Sequence, residues 1–461
     1  MPAIVAWVLY DWAYGAFSTV VTTFVFATYF TRAVAADQVT GAAQWAGMQA
    51  AAGIAIALLA VPLGAVADLG GRRRALLAAA TAVMVVCTAL LWTVHPRVAD
   101  MPRALWLAGL ATVAFEVATV FYNAMLPDLA GPRRLGRLSM LAWGAGYAGG
   151  LVCLALCLVL LVWPKPPLFG LDAATAEPVR ATALLAAGWL AVFGWPVAVF
   201  VAEPAARTPW RQALRHSGAA LRTVLRMAWR VPALRRFLLA RLLFMDGLTT
   251  LFAFGGIYAA GQFGLSASEV LIFGIGLNVA AGIGVLGFAF IEDRIGAKAT
   301  ILVSLAALCA LSTALLLVHG RGAFWVLGHA LGLFVGPAQA ASRSLLARMA
   351  PVEARAAWFG LFALSGRVTG FIGPAALAAA TAAFASQRAG MAVIVLLLGA
   401  GGLALLGVPS PARDARALLP ARDARALLPA RDAGATGARD DDAEPEQLRD
   451  QQQQRQHRLG G

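Results

Sequence analysis

Residues 64–74 read GAVADLGGRRR, and residues 289–298 read AFIEDRIGAK. In each stretch an aspartate is followed three residues later by a glycine and then by a basic residue. The two aspartates, Asp68 and Asp293, are 225 positions apart in a chain of 461 residues. Both stretches are short polar loops between long apolar runs. A loop pattern that recurs at about half the chain length indicates that the chain consists of two related halves.

Further matches support this duplication. Asp11 and Asp246 lie at similar depth in the first apolar run of each half. At an offset of 224, four residues of one half match four of the other: Gly136, Gly146, Tyr147 and Gly149 correspond to Gly360, Gly370, Phe371 and Gly373. Two parallel repeats of this kind are typical of transporters that rock one bundle against another.

The apolar runs place the chain in a membrane. Hydrophobic residues make up 60% of it and charged residues 13%, about half the charged fraction of a soluble protein. Runs of about 20 apolar residues can cross a bilayer. We predict an all-α integral membrane protein with twelve transmembrane helices in two pseudo-symmetric six-helix bundles. The segments are 5–31, 43–67, 74–94, 104–127, 138–162, 182–202, 236–260, 268–291, 298–318, 322–346, 356–384 and 388–408.

Basic residues predict the orientation. If the N-terminus is cytoplasmic, 28 Arg and Lys residues fall on the inner side, Arg343 among them, and 7 on the outer side. This excess places both termini in the cytoplasm, in a bacterial-type inner membrane. The basic loops explain the net charge of +14 without nucleic acid. Arg241 lies one turn inside a segment, and we expect its side chain to snorkel to the headgroups.

Four regions follow along the chain: residues 1–202 form the N-terminal bundle, 203–235 a central cytoplasmic loop, 236–408 the C-terminal bundle and 409–461 a tail. The central loop contains a predicted amphipathic helix with arginines along one side. This helix either lies on the anionic inner leaflet or is a solvated linker. The tail repeats PARDARALL at 411–419 and 420–428, and we expect it to be disordered and cytoplasmic.

The two loops resemble the signature of the major facilitator superfamily, G-x-x-x-D-R-x-G-R-(R/K)-(R/K). The first copy departs from it at Leu69, where a basic residue is usual. The resemblance implies that the acid and the arginines latch the cytoplasmic side of the bundle. The alternative is a plain positive-inside signal. The matching residues are Gly64, Asp68, Gly71, Arg72, Arg73 and Arg74 in the first copy, and Asp293, Arg294, Gly296 and Lys298 in the second.

A narrower resemblance covers about residues 5–408. The stretches VLYDWAYGAFSTVVTTFVFATYFT, FYNAMLPDLA, GPAQAASRSLLARMAP, WFGLFALSGRVTGFIGP and SQRAG are similar to the Unknown Major Facilitator branch of that superfamily. The branch includes the fungal autophagy-related vacuolar amino-acid effluxer. The resemblance implies export of small polar solutes, with amino acids or peptides as candidates.

Four charged residues lie deep within the apolar segments: Asp11, Glu116, Asp246 and Arg367. Each costs at least about 2.5–3.5 kcal/mol in a bilayer unless it meets water or a partner. In members of the superfamily, helices 1, 4, 7 and 10 line the central cavity, and the three acids fall on that set. Because burial disfavours the charged form of a carboxyl group, these acids could exchange protons.

Other roles for these charges stay open. Arg367 could bind a substrate carboxylate, neutralise Asp246 or snorkel, and the acids could instead cap helices or pair with loop arginines. Four uncharged residues could bind a polar substrate or merely a neighbouring helix: Tyr122, Asn123, Asn278 and Gln339.

The sequence therefore predicts a secondary active transporter that works by alternating access, is coupled to protons and is not an enzyme. No nucleotide-binding motif is present, and we expect no cofactor and no metal. The expected partners are a small-molecule substrate, protons and membrane lipids, without nucleic acid, and the protein is expected to be a monomer. The alternatives are a membrane-embedded enzyme and a non-transporting sensor that keeps the transporter fold.

Overall fold

The computed structural model describes residues 2–131, 133–203, 209, 212, 217–366, 370 and 372–409. This part of the chain is helical, without strands. Arg367, Phe371, the first part of the central loop and nearly all of the predicted tail lie outside the described residues.

Twelve membrane helices, α1 to α12, correspond to the twelve predicted segments, which confirms the predicted fold. Eleven of them are long and apolar enough to cross a membrane, and α11 consists of two shorter helices, α11a and α11b. The N-terminal bundle contains α1–α6 and the C-terminal bundle α7–α12. Their bounds are Pro2–Val34, Gln38–Gly70, Arg73–Thr93, Val98–Leu129, Leu135–Val162, Glu177–Phe200, Pro232–Phe263, Ala267–Ile295, Ala297–Leu317, Arg321–Met349, Arg355–Ser365 with Ile372–Phe384, and Gln387–Leu406.

Local sequence explains where several helices begin and end. Asp37 caps the start of α2, where its carboxylate accepts hydrogen bonds from the backbone N–H groups of Val39 and Thr40 at 3.0 and 2.9 Å. Hydrogen bonds from Thr40 lower the pKa of the Asp37 carboxyl group. Gly71 follows α2 in the left-handed conformation, with φ of 62°, which glycine adopts without a steric penalty. These signals make α2 longer than its predicted apolar segment.

Helix α11 is interrupted, and α7 supplies a charged group to each side of the break. Arg241 donates hydrogen bonds to the carbonyl of Phe362 at 2.5 Å and to Oγ of Ser365 at 2.8 Å, at the C-terminal end of α11a. Asp246 accepts a hydrogen bond from the backbone N–H of Gly373 at 2.9 Å, in the first turn of α11b. A cation at a helix C-terminus and an anion at a helix N-terminus both match the helix dipole.

The snorkelling predicted for Arg241 is therefore wrong. Its side chain is buried, and its guanidinium lies 3.4 Å from the centre of the Phe362 ring. Hydrogen-bond acceptors at the C-terminal end of α11a satisfy this side chain inside the protein. The sequence predicted a single segment at 356–384, so the acceptors at an internal helix end were not expected.

Close packing of glycines shows the duplication in three dimensions. A Cβ atom on Gly149 of α5 would collide with the backbone of Trp12 on α1. A Cβ atom on Gly373 of α11b would collide with Thr250 and Asp246 on α7. The pair α5–α1 in one half thus corresponds to the pair α11–α7 in the other, as the sequence offset predicts.

A helix spans Ser217–Arg230 between the two bundles, and we call it the connecting helix. Val224 and Met227 are buried, whereas Leu225 and Trp229 are exposed on a different side. Its exposed arginines are Arg222, Arg226 and Arg230. The boundaries of the four regions, and the placement of this helix on the inner leaflet, remain predictions.

Candidate functional site

Asp68 joins the two bundles at the end where the α2–α3 loop lies. Its two carboxylate oxygens accept hydrogen bonds from the backbone N–H groups of Ala356 and Ala357, at 3.0 and 2.9 Å. These groups lie in the first turn of α11a, so Asp68 of the N-terminal bundle caps a helix of the C-terminal bundle. The carboxylate is buried. Breaking these bonds on separation of the bundles would leave donors and acceptors without their partners.

Arg73 extends this contact. It pairs with Asp68 at 2.6 Å and lies 3.4 Å from the carboxylate of Asp128. Its guanidinium also donates to the carbonyl of Val352 at 3.2 Å, in the loop before α11a. Asp128 in turn pairs with Arg355, the first residue of α11a. Two acids and two arginines thus form one network across the bundle interface.

The loop after α8, which carries the second copy of the motif, makes the corresponding contact from the C-terminal bundle to the N-terminal bundle. Asp293, at the end of α8, accepts a hydrogen bond from the backbone N–H of Arg137 at 3.2 Å, in the first turn of α5. The neighbouring Glu292 is fully buried and binds the hydroxyl of Ser344 on α10. Gly136 of α5 packs directly against the Glu292 side chain. The C-terminal bundle therefore contacts the N-terminal bundle through the second copy of the loop sequence.

The remaining residues of the two loops fold locally. Arg74 pairs with Glu203 at 3.4 Å, after the end of α6. Lys298 donates hydrogen bonds to the carbonyls of Leu406 and Val408 at 2.8 and 2.6 Å, where α12 ends. Arg72 and Arg294 are exposed, whereas Gly71 and Gly296 both have positive φ angles.

An ion pair between Arg343 and Asp11 lies at the same end, between the bundles. Arg343 belongs to α10, and its Nη1 is 3.1 Å from the Asp11 carboxylate of α1. It also donates to Asn123 Oδ1 of α4 at 3.4 Å and to Ser139 Oγ of α5 at 2.9 Å. Arg343 is 1% exposed and Asp11 is 7% exposed. One arginine of the C-terminal bundle therefore binds three helices of the N-terminal bundle.

Three aromatic rings complete the surroundings of Arg343. The guanidinium carbon lies 5.1 Å from the centre of the Trp7 ring, 5.8 Å from that of Tyr122 and 4.9 Å from that of Trp143. All three rings belong to the N-terminal bundle. Such distances allow cation–π attraction, which is strongest where water is excluded.

The predicted cavity acids lie in different surroundings. Glu116 is half-buried on α4 and interacts electrostatically with Tyr14, which also interacts with Asp11. Asp246 is buried in the C-terminal bundle, where it caps α11b, and its second carboxylate oxygen has no hydrogen-bond partner. Asp11 and Glu116 thus share a neighbour, whereas the hydrogen bond of Asp246 is made within the other bundle.

The four uncharged candidates also differ. Tyr122 and Asn123 both lie against Arg343. The Asn278 side chain donates to the carbonyl of Gly274 on its own helix at 2.9 Å, and Gln339 is half-buried on α10. In the described ranges, no group of three or more His, Cys, Asp or Glu side chains is arranged to hold a metal ion.

Sequence reasoning missed the residue at the centre of this site. Arg343 was assigned to the basic inner loops, and that assignment is wrong, because α10 continues to Met349 and buries it. Three further partners of Arg343 were also missed, and only the first of them adjoins a stretch that carried the family resemblance: Trp7, Ser139 and Trp143. A basic residue three positions before the end of the predicted segment 322–346 was the available signal.

Comparison with known proteins agrees with this architecture. A family model described as vacuole effluxer Atg22 like matches residues 47–415. An uncharacterized MFS-type transporter, YxiO of Bacillus subtilis (strain 168), is 24% identical over 412 residues, which cover 88% of this chain and 94% of that protein. Autophagy-related protein 22-2 of Aspergillus clavatus is 23% identical over 293 residues, 57% of this chain and 46% of that protein.

Solved structures show the same fold. The major facilitator superfamily transporter FucP in its outward conformation superposes with a TM-score of 0.68 at 13% identity, and the alignment covers 89% of this chain and 98% of FucP. The proton:xylose symporter XylE gives a TM-score of 0.65 at 12% identity, with coverage of 89% and 96%. The chain is a multi-pass membrane transporter of the major facilitator superfamily and belongs to the family of Atg22-like vacuole effluxers.

Proposed function

We propose that the protein exports a small polar solute by alternating access and that protons drive the transport. The buried ion pair between Asp11 and Arg343 carries this proposal, because it joins the two bundles at one end. The vacuole effluxer description of the family supports export, and the candidate solutes are amino acids or peptides.

The ion pair distinguishes a state in which the two bundles are in contact at this end from a state in which they are separated. It forms only while α1 and α10 touch, and its partners lose each other when the bundles separate. Breaking a buried pair without replacing a partner costs about 3–5 kcal/mol. The protein therefore favours a closed arrangement until another interaction compensates, and such a bistable contact is what a rocking mechanism requires.

Protonation of Asp11 would reduce the cost of breaking the Asp11–Arg343 ion pair. Protonated Asp11 carries no charge, so its attraction for Arg343 falls and the bundles separate at lower cost. Glu116 and Asp11 each interact electrostatically with Tyr14, so both acids lie in the same part of the N-terminal bundle, and this supports a shared role in proton coupling. Asp246 has an oxygen without a partner, which makes it a second proton acceptor, in the other bundle.

Orientation follows from the basic loops. With both termini cytoplasmic in a bacterial-type inner membrane, the contacts of Asp68, Asp293 and Arg343 close the cytoplasmic end. Asp68 and Asp293 act as the latches of this end, since each caps a helix of the opposite bundle. The protein acts as a monomer and binds no nucleic acid, and an enzymatic role is not part of the proposal.

Purified protein in proteoliposomes tests this function. A panel of radiolabelled amino acids, dipeptides and sugars is offered with and without a pH gradient. We expect gradient-driven accumulation of at least one solute. We expect Glu116→Gln to abolish that accumulation and to retain part of the solute exchange across the membrane, because exchange needs no net proton movement.

Glu269→Gln is the matched control. It makes the same chemical change at an exposed residue in the first turn of α8, at the end of the helix far from Asp293. Unchanged uphill transport in Glu116→Gln would remove Glu116 from proton coupling. No pH-dependent flux of any solute would contradict proton-driven transport altogether.

A further inference from the structure

We propose that the groups around Arg343 form a binding site for a positively charged part of the transported solute, an ammonium or a guanidinium group. This inference rests on the transport function proposed above. Arg343 is then an internal ligand that fills the site whenever the bundles close. We call the site the cation cage, and its members are Trp7, Asp11, Tyr122, Asn123, Ser139 and Trp143.

Every member of the cage suits a cation. Asp11 supplies a carboxylate, and Asn123 and Ser139 accept hydrogen bonds from the guanidinium of Arg343 at 3.4 and 2.9 Å. The three rings supply π faces at 4.9–5.8 Å. A negative charge, neutral acceptors and aromatic walls together are the means by which proteins recognise amine and guanidine ligands.

The cage belongs to one bundle. Its six members lie on α1, α4 and α5 of the N-terminal bundle, and Arg343 is the contribution of the C-terminal bundle. When the bundles separate, Arg343 therefore leaves a site whose ligands all stay together. A site shared equally by both bundles would be dismantled by the same movement.

Two walls of the cage are held in place without Arg343. The indole N–H of Trp7 donates to the Tyr122 carbonyl at 3.0 Å, and the Tyr122 hydroxyl donates to the Trp7 carbonyl at 3.0 Å. The two rings stack with centres 4.4 Å apart and planes 9° apart. Because these contacts link α1 and α4 directly, the cage keeps its shape when it is empty, and preorganised sites bind more tightly.

Arg343 and a solute cation cannot occupy the cage at the same time. The cage has one carboxylate, Asp11, so it neutralises one cation at a time. A solute cation entering the open cage replaces Arg343, and Arg343 displaces that cation when the bundles close. Competition of this kind couples solute movement to the conformational change. It also predicts that solutes need a positively charged group, so neutral sugars and simple anions are excluded.

Chemical rescue tests the cage without measuring transport. Purified Arg343→Ala, in detergent, is titrated with guanidinium chloride, with sodium chloride at equal ionic strength as the ion control. Thermal unfolding and the intrinsic tryptophan fluorescence, to which Trp7 and Trp143 contribute, are followed. We expect guanidinium at about 1–10 mM, in keeping with so small a ligand, to raise the unfolding temperature and change the fluorescence. The wild type, whose cage is filled, should not respond in this range.

Two further variants complete the test. Adding Asp11→Asn to Arg343→Ala should weaken the guanidinium response at least tenfold. If Arg343→Ala does not fold, Gly64→Ala replaces it once thiol labelling has shown that this variant is open, because the change lies outside the cage. A response that is the same with and without Asp11, or no response in the folded open variant, would overturn the cage.

The outcomes separate this inference from the transport function. If the cage shows no guanidinium response while wild-type proteoliposomes still accumulate a solute, the cage is wrong and the transport function stands. If guanidinium binds as expected and no solute is moved, the cage stands and the transport function fails.

Discussion

Replacing Gly64 by alanine should open the end of the bundle that is closed in this structure. Gly64 of α2 lies directly against the start of α11a. A Cβ atom built on it would lie 2.5 Å from the carbonyl oxygen of Ala356 and 2.9 Å from the Cα of Ala357. Ordinary contacts begin at 3.4 Å, so α2 and α11a must move apart by about 0.9 Å. The obstacle is backbone, which cannot rotate away as a side chain could.

The size of the effect follows from this displacement. Overpacking by one methyl group in a well-packed interface typically costs about 1–3 kcal/mol. That cost applies only while α2 touches α11a, so it is absent in the state in which the bundles have separated. The equilibrium between the two states should therefore shift about 5–150-fold toward the open state.

Thiol labelling measures the shift. A cysteine introduced at Ala340, which is fully buried and whose carbonyl accepts a hydrogen bond from Ser139, reports opening through its reaction with a water-soluble maleimide. The native cysteines are replaced by serine. Gly64→Ala should raise the labelling rate in proportion to the open fraction. Gly53→Ala is the matched control, because Gly53 lies on the same helix with open space where its Cβ would be. Equal rates in the two variants would refute the reasoning.

Two more predictions concern the α11 break and the connecting helix. Arg241→Met should destabilise the protein by about 1.5–3 kcal/mol, since it removes charge-assisted hydrogen bonds at the end of α11a; a thermal unfolding midpoint equal to that of the wild type would contradict this. Changing Arg222, Arg226 and Arg230 together to glutamine should weaken retention of anionic lipid, by about 1 kcal/mol for each arginine that lies at the surface. Native mass spectrometry of the purified protein measures it, with Arg103→Gln as the control, and unchanged lipid retention would favour the solvated linker.

Hydropathy and repeats were sufficient to predict the fold. Twelve apolar segments, the offset of 225 between Asp68 and Asp293, and the matching glycines all agree with the observed helices. The interruption of α11 was not predicted, because the apolar residues on both sides of Arg367 were interpreted as one segment. Its position depends on α7, which places Arg241 and Asp246 opposite the two helix ends.

The candidate site was predicted only in part. Deep charges such as Asp11 stand out in an apolar segment, because their burial is costly and therefore informative. Arg343 did not stand out, since it lies near the end of α10, where arginines usually face the cytoplasm. Only the packing of the bundles distinguishes a buried arginine from an interfacial one, and no periodicity within a single helix contains that information.

The bonds that Asp68 makes across the interface go to backbone N–H groups, not to side chains. The contact therefore needs only an N–H group at residues 356 and 357, which proline lacks, and it is the close packing of these buried alanines that keeps their side chains small. Correlated substitutions between Asp68 and residues 356 and 357 are not expected, so methods that infer contacts from coevolution would overlook these two bonds. A proline scan of these two positions would detect what an alanine or charge-swap scan cannot.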